Sequence, residues 1–278
     1  MAIRMIATDL DNTLLPSDKQ LTKRTIAALR AAQDAGALVV LSSGRMAESM
    51  TNYAHEIGVN APIICYNGAL TYDLELDRAV GEMLLDQETA RALAEKLESM
   101  GQYIQGFWGN RYFYERFTDK SRGYAGKCGT EGTEIGQKLS QFIPCGVHKI
   151  LVIAESGNIP KLIPELRASF DDTVDFLASS DTYLECVKKG VNKGVALRTL
   201  GAARGIAPSE IMTFGDEQND LSMLTTVGYG YAMANASESI RRQVQFVAPS
   251  CTEDGVAQVI ERHLEQGQFA CPMREEKK

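Results

Sequence analysis

The chain has 278 residues, of which 44% are hydrophobic, and this is enough for a sizeable core and for two domains. Its formal net charge of -7 excludes the basic surface that nucleic-acid binding needs, because affinity for a phosphate backbone comes mostly from clustered Lys and Arg. The apolar run at the start is too short for a signal peptide, and no later stretch approaches a membrane span. We therefore expect a small-molecule partner rather than nucleic acid or a membrane.

The cysteine pattern indicates the redox environment. Six cysteines stand at positions 65, 128, 145, 186, 251 and 271, without any C-x-x-C pair. Such scattered cysteines are typical of reduced thiols rather than of a disulfide framework or a zinc site. The sequence therefore predicts a cytoplasmic protein, and a monomer is assumed by default.

Strand and helix patterns alternate at the start of the chain. Residues 3–8, 37–41 and 62–65 are apolar runs of strand length, and residues 22–35 have helical apolar spacing before Gly36. Continuous apolar runs fit strands that are covered on both faces. The pattern therefore predicts a parallel α/β sheet.

The pattern changes after Asn67-Gly68. Residues 69–85 alternate like hairpin strands, and residues 87–100 form an amphipathic helix. Further strands are predicted at 103–105, 112–114, 148–153 and 183–185, and a helix at 159–170. This middle segment is predicted to form an α+β domain of its own.

The alternation of helices and strands then resumes. It predicts helices at 193–204, around Leu221 and at 256–264, and strands at 211–214 and 229–232. The fold class is therefore α/β, with a Rossmann-like parallel-sheet core over 1–83 and 188–278 and an inserted α+β domain over 84–187. The polar tail from 266 to 278 is predicted to fray.

Two carboxylates follow the first predicted strand, in Asp9-Leu10-Asp11-Asn12-Thr13. Open α/β sheets bind ligands at the carboxyl ends of their strands. Two acids at such a point repel each other unless a cation lies between them or one pKa is raised. The alternative is an ordinary turn, since Asp and Asn are common in loops.

Three further segments carry candidate ligand-binding residues. Ser43 and Gly44 follow the second strand, where a hydroxyl and free N–H groups at a helix start can hold phosphate oxygens. Taken alone, these residues are better explained by ordinary N-capping. Lys193 offers a point charge to a phosphoryl group, with a solvated surface lysine as the alternative.

The segment after the strand at 211–214 is the most acidic of the three. It reads Gly215-Asp216-Glu217-Gln218-Asn219-Asp220, and its oxygen atoms are the ligands that Mg²⁺ prefers. An acidic helix N-terminus is the alternative interpretation, because the helix dipole favours negative charge there.

Together the four segments resemble the motifs of the haloacid dehalogenase superfamily, in the order DxDxT, Ser before Gly-Arg, Lys and GDxxND. Its Cof-like branch is similar in four further segments: Tyr66-Asn67-Gly68-Ala69, Ser222-Met223-Leu224, Ala232-Met233-Ala234-Asn235-Ala236 and Glu253-Asp254-Gly255-Val256-Ala257. The inserted segment matches the large cap of that branch in position and approximate size. One departure is Ser43 where Thr is commoner, and it keeps the hydroxyl.

The resemblance implies a Mg²⁺-dependent phosphoric monoester hydrolase. Asp9 would be the nucleophile that forms a phosphoaspartate, and Asp11 would be the general acid and base. The metal would be held by the carboxylates of Asp9 and Asp216 and by the backbone carbonyl of Asp11. The remaining roles fall to phosphate-binding residues and to one orienting residue: Ser43, Gly44, Lys193 and Asn219 would bind phosphoryl oxygens, and Asp220 would orient Lys193 or metal-bound water.

The resemblance leaves the substrate and two alternatives open. Hexose phosphates are the first expectation, followed by pyridoxal phosphate and flavin mononucleotide, and the inserted domain would carry the specificity. A phosphomutase using the same Asp9 and Asp11 pair is one alternative. A non-enzymatic phospholigand sensor is the other, although the complete set of site residues disfavours it.

Overall fold

The computed structural model describes residues 2–269, and they divide into two compact units. The core unit comprises the residues up to Gly44, Met50–Val80 and the residues from Asn192 onward. The inserted unit comprises Arg45–Ser49 and Gly81–Val191. The exact bounds predicted for the two domains from the sequence stay a prediction.

The elements are numbered in chain order. The strands are β1 Met5–Thr8, β2 Leu38–Leu41, β3 Ile63–Cys65, β4 Leu70–Asp73, β5 Arg78–Glu82, β6 Tyr103–Trp108, β7 Arg111–Tyr114, β8 Thr133–Glu134, β9 Lys149–Ile153, β10 Val174–Ala178, β11 Tyr183–Lys188, β12 Ile211–Gly215, β13 Tyr229–Met233 and β14 Phe246–Ala248. The helices are α1 Lys23–Asp34, α2 Ala47–Ile57, α3 Gln87–Ser99, α4 Asp119–Cys128, α5 Leu139–Phe142, α6 Ile159–Phe170, α7 Lys193–Ala203, α8 Leu221–Leu224, α9 Glu238–Arg241 and α10 Gly255–Glu265.

The core unit is built on a parallel sheet with the strand order β14-β13-β12-β1-β2. Strand β1 lies in the centre, pairing with β12 through Met5–Ile211 and with β2 through Met5–Leu38. All four residues of β1 are buried, as expected for a strand covered on both faces. The predicted parallel α/β core is therefore confirmed. The third predicted strand, β3, does not belong to this sheet: it pairs antiparallel with β4 in a smaller sheet, β3-β4-β5. One isolated parallel bridge, Ser42–Ile64, links it to the end of β2.

The inserted unit contains a separate six-stranded sheet with the order β10-β11-β9-β6-β7-β8. Its pairs are antiparallel except for β7 with β8. One face of this sheet packs on α3 and α6 through a buried apolar cluster that includes Leu93, Leu97, Ile150 and Leu166. The predicted α+β character of the middle segment is confirmed.

The sequence patterns missed several elements. Helix α4 buries only Ser121, so it has no apolar stripe for periodicity to detect. Strands β10 and β14 were also not predicted, and β6 extends three residues beyond the predicted 103–105. The predicted fraying is wrong for residues 266–269, because Phe269 is buried and bridges to Ile3. The rest of that tail lies outside the described residues.

Two further expectations concern the chain as a whole. None of the helices between residues 2 and 269 has the length and apolar character that a membrane span requires. The five cysteines within that range are free thiols, and Cys271 lies outside it. The cytoplasmic location stays a prediction.

Candidate active site

The loop that follows β1 carries Asp9 and Asp11. The backbone N–H of Asp9 donates to the carbonyl of Phe214 at 3.0 Å, which extends the pairing of β1 with β12. The chain then turns back: the N–H groups of Leu14 and Leu15 both donate to the Leu10 carbonyl. Asn12 adopts φ 56°, a left-handed conformation that Asn tolerates better than most residues. The loop therefore fixes Asp9 at the carboxyl end of the central strand.

The two acids of this loop have different surroundings. The Asp9 side chain is 9% exposed and lies 2.6 Å from the Lys193 ammonium. The Asp11 side chain is 35% exposed and forms an ion pair with Lys19, itself half-exposed. The two neighbouring carboxylates therefore differ in burial and in their partners, so they can play different chemical roles.

Lys193 is fully buried at the first position of α7. Asn192 caps that helix by accepting from the Val195 N–H, and this sets the backbone from which Lys193 extends. The Lys193 Nζ lies 2.6 Å from Oδ1 of Asp9 and 2.6 Å from Oδ1 of Asp220. Burial opposes the charge, but these two carboxylates outweigh it and raise the pKa of Lys193. The surface-lysine alternative is therefore wrong.

Asp220 is held on both carboxylate oxygens. Its Oδ1 accepts from Lys193, and its Oδ2 accepts from the N–H groups of Asp216 and Glu217 at 2.9 Å and 3.0 Å. Gly215 makes room for it, since a Cβ there would lie 2.5 Å from the Asp220 Cβ. Asp220 is therefore placed to orient Lys193 and the loop of Asp216.

Asp9, Asp216 and Asp220 form a buried carboxylate cluster, with one oxygen of each within 4.8 Å of the others. Burial, followed by the charges of Asp9 and Asp220, raises the pKa of Asp216 to about 8. Burial also raises the pKa of Asp9, although Lys193 opposes this. Thr13 donates to Oδ1 of Asp216 at 2.9 Å and orients it.

The donor set fits a hard divalent cation. Its atoms are the buried carboxylate oxygens of three aspartates, and Lys193 pairs with two of these aspartates, Asp9 and Asp220. Since both oxygens of Asp220 are already engaged, Asp9 and Asp216 are the carboxylates suited to bind the metal directly. The backbone carbonyl of Asp11 stays a predicted third ligand.

Ser43 and Gly44 lie on the loop after β2, at the same end of the sheet. The Ser43 N–H donates to the Ile64 carbonyl, and the Ser43 carbonyl accepts from the Asn67 N–H at 3.0 Å. Ser43 is 2% exposed. Beside it, a Cβ on Gly44 would lie 3.1 Å from the Asn67 amide oxygen, so glycine keeps this approach open.

Asn67 has a position in the site that the sequence did not predict. Its amide oxygen accepts from Nδ2 of Asn219 at 2.9 Å, so it connects the Ser43 loop to the loop of Asp216. Asn67 adopts φ 56°, and Gly68 follows at φ 106°, where an added Cβ would lie 2.4 Å from the Asn192 carbonyl oxygen. The Asn-Gly pair is the sequence signal for such a left-handed turn.

A second asparagine holds the loop that follows β1. Nδ2 of Asn235 donates to the Asn12 carbonyl at 2.8 Å, and its Oδ1 accepts from the Cys251 N–H at 3.0 Å. Sequence patterns placed Asn235 only in a segment of family resemblance. Its two contacts indicate a positioning role for the loop that carries Asp9.

Comparison with known proteins decides the family. The model of a family described as haloacid dehalogenase-like hydrolase matches residues 6–260. The chain belongs to this family. The resemblance inferred from the four motifs is therefore confirmed, and with it the assignment of the chain as an enzyme of the phosphatase kind.

Individual relatives of this haloacid dehalogenase-like hydrolase are similar over nearly their whole length. The 5-amino-6-(5-phospho-D-ribitylamino)uracil phosphatase YitU of Bacillus subtilis is 27% identical, over 94% of this chain and 97% of its own. The HMP-PP phosphatase of Yersinia enterocolitica is 29% identical, over 94% and 95%. Among solved structures, TM0651 from Thermotoga maritima has a TM-score of 0.84 and 29% identity, over 94% and 97%.

Proposed function

We propose that this haloacid dehalogenase-like hydrolase is a Mg²⁺-dependent phosphatase that hydrolyses small phosphomonoesters through a phosphoaspartate on Asp9. The observation that carries the proposal is the position of Asp9. It is a buried carboxylate at the carboxyl end of the central strand, paired with Lys193 and adjacent to Asp216 and Asp220. A carboxylate nucleophile divides one difficult displacement into two easier ones.

The first step transfers the phosphoryl group to Asp9. Lys193 engages Oδ1 of Asp9, so the proposal assigns the attack on phosphorus to Oδ2. A bond forms between Oδ2 and phosphorus while the ester P–O bond breaks, and the departing alkoxide takes a proton from Asp11. The greater exposure of Asp11 lets its side chain reach the leaving group once it releases Lys19.

The second step returns Asp9 to its starting form. Asp11, now a carboxylate, takes a proton from a water molecule that attacks the phosphorus. The bond between phosphorus and Oδ2 breaks, inorganic phosphate leaves, and Asp11 is protonated again. The same residue therefore serves as acid and then as base.

Asp9 and Asp216 would hold Mg²⁺, with the Asp11 carbonyl as the third protein ligand. When bound, the metal lets the anionic substrate approach the carboxylate cluster by neutralising charge. Lys193, Ser43, Asn219 and the N–H of Gly44 would bind phosphoryl oxygens, and removing one such donor typically costs ~3 kcal/mol, or about a hundredfold in rate. Asp220 would orient Lys193 through their shared contact.

The names of the relatives support a small phosphorylated metabolite as the substrate. YitU is named for a ribitylaminouracil phosphate and the Yersinia enzyme for HMP-PP. Both names denote small phosphorylated metabolites, in agreement with the partner class expected from the sequence. Hexose phosphates stay the first expectation from family breadth, with pyridoxal phosphate and flavin mononucleotide next.

Phosphate release from a panel of sugar, nucleotide and cofactor monophosphates tests the proposal. Wild type should need Mg²⁺ and lose activity in EDTA, and Asp9→Asn should lose about ten-thousandfold or more because it lacks the nucleophile. Asp11→Asn should lose about a hundredfold or more because it lacks the acid.

Asp34→Asn is the matched control, since Asp34 is exposed at the end of α1 in the same unit. It should behave as wild type. If Asp9→Asn retains activity, the proposed phosphoaspartate intermediate on Asp9 is wrong. If wild type transfers phosphate between hydroxyls or only binds phosphate esters, the phosphomutase or sensor alternative replaces the proposal.

A further inference from the structure

The hairpin of β4 and β5 ends in an exposed strand. All five residues of β5 are exposed, whereas every residue of the central strand β1 is buried. β5 is the last strand of the sheet β3-β4-β5, so within residues 2–269 no strand pairs with its outer edge. Such an edge presents a row of N–H and C=O groups that can pair with the strand of another chain.

Apolar side chains of this hairpin are exposed as well. Val80, in the middle of β5, is 46% exposed, and Leu76, in the preceding turn, is 58% exposed. Among the large apolar side chains of the described residues, Phe117 and Val247 are the two others that are exposed. Exposed apolar residues beside an open strand edge indicate either a partner or a risk of aggregation. The charges on the strand distinguish these two possibilities.

The order of the charges makes β5 complementary to itself. The strand reads Arg78-Ala79-Val80-Gly81-Glu82. When two such strands pair antiparallel with Val80 at the centre, Arg78 of each copy lies opposite Glu82 of the other. Opposite charges at facing positions stabilise a strand pair, and like charges destabilise it. The charges of β5 therefore favour pairing with a second copy in one register.

Two further properties of β5 permit this pairing. Natural edge strands are often protected by Lys, Pro or a bulge, and β5 contains neither Lys nor Pro. Glu82 already contacts Nε2 of His148 through its Oε1 at 3.0 Å. Its side chain is nevertheless 43% exposed, so it can also accept from an arginine of a second copy.

The other edge strands of residues 2–269 lack this pattern. Strands β2, β3 and β14 carry no charged residue, and β8 has two residues. In β10 the single charged residue, Asp175, pairs with Lys189 of its own chain. Strand β5 is therefore the edge best suited to pair with a copy of itself.

We propose that two copies of this chain associate through β5, which pairs antiparallel with itself about Val80 and joins their two small sheets into one. A two-fold axis at Val80 lets each copy contribute the same surface. The backbone supplies hydrogen bonds, the two Val80 side chains supply apolar contact, and the two Arg78–Glu82 pairs fix the register.

The expected dimer is weak, because a single strand pair buries little surface. We expect a Kd on the order of 10–100 µM. The monomer assumed from the sequence then holds at low concentration alone. The inference is independent of the proposed function, since no residue of β4 or β5 belongs to the candidate active site.

Sedimentation velocity of the full-length protein tests the proposal, from about one-tenth to about ten times the expected Kd. Wild type should shift from monomer to dimer across this range. Val80→Lys places two like charges at the centre of the pair and should weaken the dimer about tenfold or more. Val247→Lys is the matched control, because Val247 is 51% exposed on the edge strand β14, and it should dimerise as wild type does.

Reversing the charges tests the register. Arg78→Glu and Glu82→Arg each put like charges opposite one another, and each should weaken the dimer about fivefold. The double variant restores opposite charges and should regain wild-type association within about twofold. Glu82→Arg also loses the His148 contact, so melting temperatures are measured beside the association. A folded double variant that associates no better than the single variants would overturn the proposed pairing.

Hydrogen–deuterium exchange locates the interface directly. Exchange at residues 78–82 should slow as the concentration of wild type rises, because the outer amides of β5 become hydrogen-bonded, while exchange at 246–248 of β14 should not change. Wild type that stays monomeric at about ten times the expected Kd would overturn the inference. Dimerisation that leaves exchange at 78–82 unchanged, or that Val80→Lys does not weaken, would overturn it as well.

Discussion

Each unit of this hydrolase buries a lysine against carboxylates, and the two surroundings differ. Lys193 in the core unit is fully buried, with two carboxylate oxygens at 2.6 Å. Lys149 in the inserted unit lies 3.4 Å from Glu185 and 4.7 Å above the Phe107 ring. Lys193 therefore neutralises charge in a cluster of several carboxylates. The more distant Lys149–Glu185 pair has a packing role in the inserted unit.

The largest effect is expected from Lys193→Met. Without the ammonium, Asp9, Asp216 and Asp220 are left together, and breaking a buried ion pair costs about 3–5 kcal/mol of unfolding free energy. Phosphate release should also fall by about a hundredfold. Circular dichroism melts and the phosphate assay measure the two effects.

Lys23→Met is the control for this variant, because Lys23 also begins a helix, α1, but is exposed. It should leave both measurements unchanged. A Lys193→Met variant with wild-type stability and full activity would contradict the special role of Lys193, which would then be no more important than Lys149.

A metal-linked pH effect is expected next. The folded state keeps the Asp216 proton up to about pH 8, against an ordinary value of 3.8, because burial raises this pKa. The metal-free fold should therefore lose stability as pH rises from about 4 to about 8. Mg²⁺ displaces the proton, so its affinity should rise up to about tenfold per pH unit until about pH 8.

Melting temperatures with and without Mg²⁺, measured between pH 5.5 and 9, follow this linkage. Asp216→Asn should reduce the pH-dependent part of the Mg²⁺ effect and leave the part that comes from the raised pKa of Asp9. A stabilisation by Mg²⁺ that is the same at every pH would contradict the assignment of Asp216 as a ligand.

The smallest effect is expected from Lys149→Met. Glu185 loses its ion pair with Lys149 in a buried position, and we expect the unfolding free energy to fall by about 1–3 kcal/mol. Trp108, the single tryptophan of the chain, lies in β6, so its fluorescence during urea unfolding reports on the inserted unit. Lys161→Met on the exposed side of α6 is the control and should not shift that transition.

The same contrast explains what the sequence predicted. Asp9, Ser43 and Asp216 each follow a strand of the core unit, and parallel strands bring such positions to one edge of the sheet. Local patterns therefore predicted the fold class and indicated that these candidate residues lie close together. The burial of Lys193 followed less directly, since a lysine at a helix start is usually solvated.

The rest depends on contacts between residues distant in the chain. The amide contact of Asn67 with Asn219 spans 152 positions, and no periodicity predicts it. Gln105 in β6 is buried, and its amide atoms have no hydrogen-bond partner within the described residues, which the sequence does not show. Helix α4 lacks an apolar stripe altogether, so only its packing on Phe107 reveals its place.

The turn at Tyr66–Gly68 has a consequence for how this site changes under mutation. Asn67 holds the Ser43 carbonyl and the Asn219 amide, while Gly68 lies against the Asn192 carbonyl beside Lys193. The loops that carry Ser43, Asn219 and Asn192 are far apart in the chain, and all three contact the Tyr66–Gly68 turn. Substitutions in any of them should combine non-additively with substitutions in the others, so these loops are expected to diversify together rather than one at a time.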